Sequence, residues 1–302
     1  MSAVVALGGN ALMRPGERGT AAEQRANIRE TCSALRPVLG ESELVITHGN
    51  GPQVGNELLR QERAADEVPP LPLYLAVAQT QAEIGALIES ELEPVAGRAV
   101  ACLLTHVLVA EDDPAFEAPT KPIGPFYDAG RAHELERDRG WQVVHDAGRG
   151  WRRVVPSPAP LEIVELAAIR ALLSSGAIVV ACGGGGIPVA RRGGHLAGLD
   201  AVIDKDRASA VLARALDADR LVILTDVPAV YAGFGGGKQE DLRELGADEA
   251  EALLPELAAG SMRPKVEAGV DFARATGNEA LITSAAALAE ALAGNAGTRI
   301  HA

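Results

Sequence analysis

The chain has 302 residues, of which 47% are hydrophobic, enough for a full core in one large α/β domain or two smaller ones. Its formal net charge of −13 repels nucleic acid and anionic membrane surfaces, so any anionic ligand needs locally placed cations or backbone donors. Three widely spaced cysteines, Cys32, Cys102 and Cys182, suggest no disulfide, zinc or redox framework, and the N-terminus shows no signal-like segment; a reducing cytoplasm is expected.

In chain order, an apolar run at Ala3–Leu7 predicts a first strand, which ends in Gly8-Gly9-Asn10-Ala11-Leu12. Ile28, Cys32, Leu35 and Leu39 then share a helical stripe. A second strand at Leu44–Thr47 runs into His48-Gly49-Asn50-Gly51-Pro52-Gln53, and a third is expected at Ala99–Leu104. From about 112 to 158 six prolines and both tryptophans interrupt the rhythm. This stretch reads as an inserted subdomain with a helix at Asp128–Arg139 and a hairpin around Asp146–Gly150, since a structureless loop of that length is unusual.

Leu161, Val164, Ala168 and Leu172 predict a further helical stripe, followed by a strand at Ala177–Cys182 and the turn Gly183–Gly186. Asp204-Lys205-Asp206 precedes a helix expected at Arg207–Leu216. Strands at Leu221–Thr225, followed by Asp226, and at Ala280–Thr283 flank a helix opening at Pro264-Lys265. Strands alternating with helices predict an α/β fold with a mainly parallel sheet covered on both faces.

Glycine turns at strand ends let backbone N–H groups approach an anion closely, and the carboxyl-terminal edge of an open α/β sheet is where ligands bind. Three such turns on one edge, two of them carrying an asparagine, point to a phosphate or carboxylate site. The first is not a G-x-G-x-x-G fingerprint, and Gln239 after Lys238 excludes a Walker A loop. No G-x-S-x-G elbow is present, and the six histidines are too scattered for a metal site, so no metal ligand is assigned. A lone lysine is ordinarily a solvated surface group. Lys121, Lys205 and Lys265 stand apart because each sits among prolines, glycines or aspartates. Lysine near a helix N-terminus adds to the positive end of the helix dipole and favours phosphate, with Asp206 placed to hold such a lysine. Asp226 reads equally well as a nucleotide-side group or a cap.

Taken together, GGNAL at Gly8–Leu12, THGNGPQVG at Thr47–Gly55, PTKPIGPFY at Pro119–Tyr127 and DAGRGWRRVVPSPAP at Asp146–Pro160 resemble the carbamate kinases of the amino-acid kinase superfamily. So do ACGGGGIPV at Ala181–Val189, AVIDKD at Ala201–Asp206, LTDVPAVY at Leu224–Tyr231, GSMRPKVEA at Gly260–Ala268 and AGTRI at Ala296–Ile300. They occur in the family's order and span essentially the whole chain.

The resemblance implies one domain over 1–302, a three-layer α/β/α sandwich with a small protruding subdomain, assembled as a homodimer. It implies reversible phosphoryl transfer between ATP and carbamate, giving ADP and carbamoyl phosphate, with Mg2+ and with ATP formation as the expected use. By the family pattern Gly8, Gly9, Asn10, Gly49, Asn50 and Gly51 hold the substrate. Lys205 and Lys265 neutralise its charge, Asp206 orients them and Lys121 reaches in from the subdomain. Asp226, Val230 and Tyr231, with Lys205 and Lys265, lie near the nucleotide. Relatives acting on amino acids carry a lysine where this chain has Ala6, which favours carbamate over a paralogous kinase acting on another small carboxylate or phosphate. A non-catalytic nucleotide-binding regulator is disfavoured because Lys205, Asp206 and Lys265 are all present.

Three departures stand out. Arg263 replaces a usual glycine and is expected to add a cation beside the phosphates. Ala82 and Glu83 depart from a helix expected near the substrate or the partner subunit, and the link from Gly233 to Gln239 is glycine-rich.

Overall fold

The computed structural model describes residues 1–14, 16–146, 150–233, 239–258 and 260–302, and the side chains of Asn10 and Asp146 fall outside that description. Most of the glycine-rich link before Gln239 lies outside it too.

The strands of the central sheet, numbered along the chain, are β1 (Ser2–Leu7), β2 (Glu43–His48), β3 (Val100–Cys102) and β4 (Ile178–Val180). They continue with β5 (Arg220–Thr225), β6 (Glu244–Gly246), β7 (Glu279–Ser284) and β8 (Thr298–His301). Their spatial order is β6-β8-β7-β5-β1-β2-β4-β3. Every neighbouring pair is parallel except β7 with β8. Each of the six apolar runs expected to form strands does so in this sheet.

Alternation along β1 shows why both faces need cover. Val4 and Ala6 enter one core, whereas Ala3, Val5 and Leu7 enter the other. The second core is closed by α1 (Ala21–Ala34) and α3 (Leu73–Ala96), through Ile28, Cys32, Ile84, Ile88 and Leu92. The first is closed by α5 (Leu166–Ser174), α6 (Lys205–Ala215) and α8 (Arg263–Thr276), with Phe272 its largest fully buried side chain. Helix, sheet and helix thus form three layers.

Two expected helical stripes are corrected. The first ends at α1, whose C-cap is Leu35; Arg36–Val38 continues as a short 3-10 turn around Pro37, so Leu39 lies beyond the helix. The second is mis-phased: Glu162–Ile163 pairs as a strand with His106–Leu108, and the buried residues of α5 are Ile169 and Leu173. Glu165 takes no part in a helical stripe, because its carboxylate accepts hydrogen bonds from the backbone N–H and the Nδ1 of His106. Those two strands belong to a second, four-stranded sheet with Ile187–Arg192 and His195–Gly198 that the sequence did not announce.

Lys121–Tyr127, Gln142–Asp146 and Gly150–Val155 form a three-stranded antiparallel sheet carrying the helix Ala129–Arg139, capped by the Asp128 side chain. The Lys121 strand rests on α2 (Gly51–Arg63) with backbone against backbone. A Cβ built on Gly55 would lie 1.9 Å from the Gly124 Cα, and Gly124 itself has φ +73°, so only glycines permit this approach.

Candidate active site

The glycine turns after β1, β2 and β4 lie side by side at one sheet edge because those strands are parallel neighbours. Beneath them opens a cavity of about 280 Å³ lined by Gly9, Gly49, Asn50, Gly51, Gly184 and all three singled-out lysines. The N-terminus of α2 enters it with no side-chain cap on the first-turn N–H groups, which are left to meet an anion. Asn50 does not cap α2, because its Nδ2 donates to Thr80 Oγ1 at 2.9 Å. Gly184, at φ +66°, packs so close to Asn50 that a Cβ would fall 2.3 Å from its amide nitrogen.

The helix expected at Arg207 begins two residues earlier, which makes Lys205 its first residue and Asp204 its N-cap. Asp204 Oδ1 accepts from the N–H groups of Asp206 and Arg207, and Oδ2 accepts from Lys121 Nζ at 2.5 Å. Asp206, 3% exposed at its side chain, accepts from Lys205 Nζ through Oδ1 at 2.5 Å and from Lys265 Nζ through Oδ2 at 2.9 Å. One buried carboxylate therefore fixes two lysines that are far apart in sequence and stand at the N-termini of α6 and α8.

Burial alone would raise the pKa of both aspartates, but the surrounding lysines override it and hold both below the ordinary carboxylate range. Burial pulls the Lys205 pKa down, against the attraction of Asp206. For Lys265 burial is outweighed by Asp206, and its pKa is raised. Three lysines against two aspartates leave a formal charge of +1, in a chain that is strongly acidic overall. Arg152, a residue to which sequence reasoning gave no role, adds a cation to the lining; its Nε donates to Gly124 O at 3.1 Å. Sequence reasoning missed Asp204 as well, although its place directly before a lysine at a helix start is an N-cap signature.

A second, more apolar cavity of about 700 Å³ adjoins the first at Ser261, which lines both. Asp226 and Tyr231 form part of its wall, facing Leu257 and Met262. Val230 is not on that wall: it is fully buried in the core, and its N–H donates to Thr298 Oγ1 at 2.8 Å. Gly8 does not line the charged cavity either. It lets the end of β1 pass the Leu224 carbonyl, which a Cβ would approach to 2.7 Å. The Asn10 side chain lies outside the described residues.

The model of the Amino acid kinase family matches residues 1–284. The carbamate kinase of Halobacterium salinarum is 46% identical over 300 residues, covering 98% of this chain and 97% of that protein. The chain belongs to the carbamate kinases, within the amino acid kinase family. Among solved structures, the carbamate kinase of Giardia lamblia bound to citric acid superposes with a TM-score of 0.93 at 40% identity, covering 99% of this chain and 98% of that one. The same enzyme bound to AMP-PNP gives 0.90 at 40% identity, with the same coverage.

Of the departures from the carbamate kinase pattern, Arg263 takes a different place from that expected. The Arg263 guanidinium turns away from the lysines, toward the carbonyls of Leu254 and Pro255. Ala82 and Glu83 are exposed on α3 and line neither cavity; the same helix reaches the site through Thr80 and Gln81, whose Nε2 donates to Gly183 O at 2.9 Å.

Proposed function

We propose that the chain transfers a phosphoryl group reversibly between ATP and carbamate, with ADP and carbamoyl phosphate as products. The observation that carries this reading is the Asp206 bridge, which sets two largely covered lysines at two helix N-termini while Lys121 closes the cavity from the side. Phosphoryl transfer needs positioning and charge neutralisation rather than covalent catalysis by the protein.

In the forward direction a carbamate oxygen attacks the γ-phosphorus and the bond from that phosphorus to the ADP oxygen breaks. Carbamate is already an anion, so no proton has to be removed. Accordingly neither Asp204 nor Asp206 is placed as a base; each is engaged with lysine. In this reading Lys205 and Lys265 take the charge of the transferring group, and Lys121 with the N–H groups of the Gly49–Gly51 turn holds the carbamoyl end. Ala6 is buried in the core beneath this edge, and Lys121 supplies the cation in its place.

In this reading the nucleotide takes the apolar cavity, with its phosphates passing Ser261 toward the lysines; that the Giardia lamblia relative was solved bound to AMP-PNP supports a nucleotide substrate. Among the described residues no three His, Cys, Asp or Glu side chains are grouped to hold a metal ion. Magnesium is bound largely through substrate phosphates in such sites, so in this reading it arrives as Mg-nucleotide. The reading includes a homodimer, a cytoplasmic location and a single domain with residues 112–158 as its insert. Among the described residues no helix is long and apolar enough to cross a membrane.

The test is ATP formation from MgADP and carbamoyl phosphate. Wild-type protein is expected to produce ATP, and Lys205→Ala to turn over at least about 10²-fold more slowly while still binding nucleotide. Folded, nucleotide-binding wild type that makes no ATP from carbamoyl phosphate would refute the assignment; near-normal turnover in Lys205→Ala would remove that lysine from the mechanism.

A further inference from the structure

Arg263 opens α8, two residues before Lys265. Its Nε donates to the Leu254 carbonyl at 2.7 Å and its Nη2 to the Pro255 carbonyl at 3.3 Å. Its backbone N–H donates to Ala258 O at 3.2 Å. Leu254–Glu256 is a short 3-10 turn whose Leu254 carbonyl also accepts the Leu257 N–H at 3.2 Å, so the guanidinium adds a charged donor to a carbonyl of the turn's own ladder and another to the next one. The segment so held is one wall of the apolar cavity, which it lines with Leu253, Glu256, Leu257 and Ala258. Met262 and Ser261, immediately before Arg263, complete that wall. The residue that begins the helix bearing Lys265 is thus also the one that pins the cavity wall. A glycine at position 263, having no side chain, could not do this.

We propose that Arg263 is a positioning residue: it locks the 253–258 wall to the N-terminus of α8 and so sets the affinity for nucleotide without entering the phosphoryl-transfer step. The proposal rests on the reading that this cavity holds the nucleotide. Ordering a wall before the ligand arrives spares the ligand the cost of ordering it on binding, so the effect falls on affinity. A residue whose only effect was on global stability would leave nucleotide affinity in the folded protein unchanged.

The experiment compares wild type, Arg263→Met, which keeps the aliphatic stem, and Arg263→Lys, which keeps a cation and one donor. KM for MgADP, KM for carbamoyl phosphate and kcat are measured, with the MgADP Kd by calorimetry and a thermal melt on each protein. Arg263→Met is expected to raise both KM and Kd for MgADP by about 5- to 20-fold, less than the full worth of the lost charged hydrogen bonds because the loss reaches the ligand only through the wall. Its kcat and its KM for carbamoyl phosphate should stay within about twofold, and Arg263→Lys should recover part of the loss. If Arg263→Met does not fold, Arg263→Lys carries the test with a smaller shift in the same direction. An unchanged MgADP Kd, or a loss confined to kcat, overturns the proposal. Tyr231→Ala, inside the cavity, separates the two ideas. If it weakens MgADP binding while the Arg263 variants do not, the clamp is wrong and the nucleotide reading stands. If none of the three weakens it, the nucleotide reading fails and the clamp with it.

Discussion

The two adjoining cavities are built on opposite plans. In the charge-lined cavity the working parts are side chains, and each lysine is held by a named carboxylate: Lys121 by Asp204, and Lys205 and Lys265 by Asp206. In the apolar cavity the working part is a surface, and the segment forming one wall is held through its own backbone carbonyls by Arg263. On the proposed reading the difference follows from what each receives. A transferring phosphoryl group needs charges fixed before it arrives, in a place with little water to screen them. A nucleotide base needs a shaped apolar wall. The charged cavity should accordingly fail in rate when broken, and the apolar one in affinity.

The sharpest way to break the contrast is Asp206→Ala. It leaves two lysines buried without their common partner, and unfolding free energy should fall by about 3–5 kcal/mol in denaturant titrations. Turnover should fall at least about 10²-fold because neither ammonium stays in place. A variant with wild-type turnover would show that the bridge is not what positions the lysines. A subtler break leaves every charge intact and moves one. In Gly55→Ala the new methyl meets the Gly124 backbone, so the strand bearing Lys121 must shift away from α2 by an ångström or more. Misplacement on that scale costs on the order of 10²-fold in turnover. The loss should appear with MgADP affinity unchanged, since neither Gly55 nor Gly124 lines the apolar cavity.

The smallest effect concerns the floor beneath the glycine turns. His48 is fully buried, with Nδ1 donating to Gly49 O at 2.9 Å and Nε2 without a hydrogen-bond partner among the described residues. Burial depresses its pKa from 6.5 to about 4. Between those values the unfolded chain binds a proton that the folded protein refuses, so stability drops as pH falls through this window. The predicted loss is on the order of 3 kcal/mol between pH 6.5 and pH 4, since each tenfold drop in proton affinity is worth about 1.4 kcal/mol. Subtracting the unfolding curve of His48→Gln from that of wild type isolates it; parallel curves across this range would rule out a buried neutral imidazole.

Much of this architecture was legible without coordinates. β1 and β5 each extend only one residue beyond the runs Ala3–Leu7 and Leu221–Thr225, because continuous apolar stretches of that length belong to strands buried on both faces. The three glycine turns were readable as strand ends and do gather at one sheet edge, and Lys205 and Lys265 do stand at helix starts. The stripe through Leu161, Val164, Ala168 and Leu172 misled because spacing alone cannot show that Glu162–Ile163 is taken by a neighbouring strand. Val230 was named with Tyr231 as a nucleotide residue, but in a strand successive side chains face opposite ways, and Val230 took the core side.

By itself the sequence determined six strands of the central sheet, the edge at which the glycines gather and the setting of Lys205 and Lys265 near helix starts. These are local properties, set by apolar run length, turn geometry and helix starts. Only the tertiary structure decided which carboxylate holds which lysine, that Arg152 joins the cavity, and that Arg263 faces a carbonyl turn instead of the lysines. Those pairings link residues that lie far apart in the chain, such as Lys121 and Asp204, and only the packing of one element on another brings their charges within hydrogen-bonding distance.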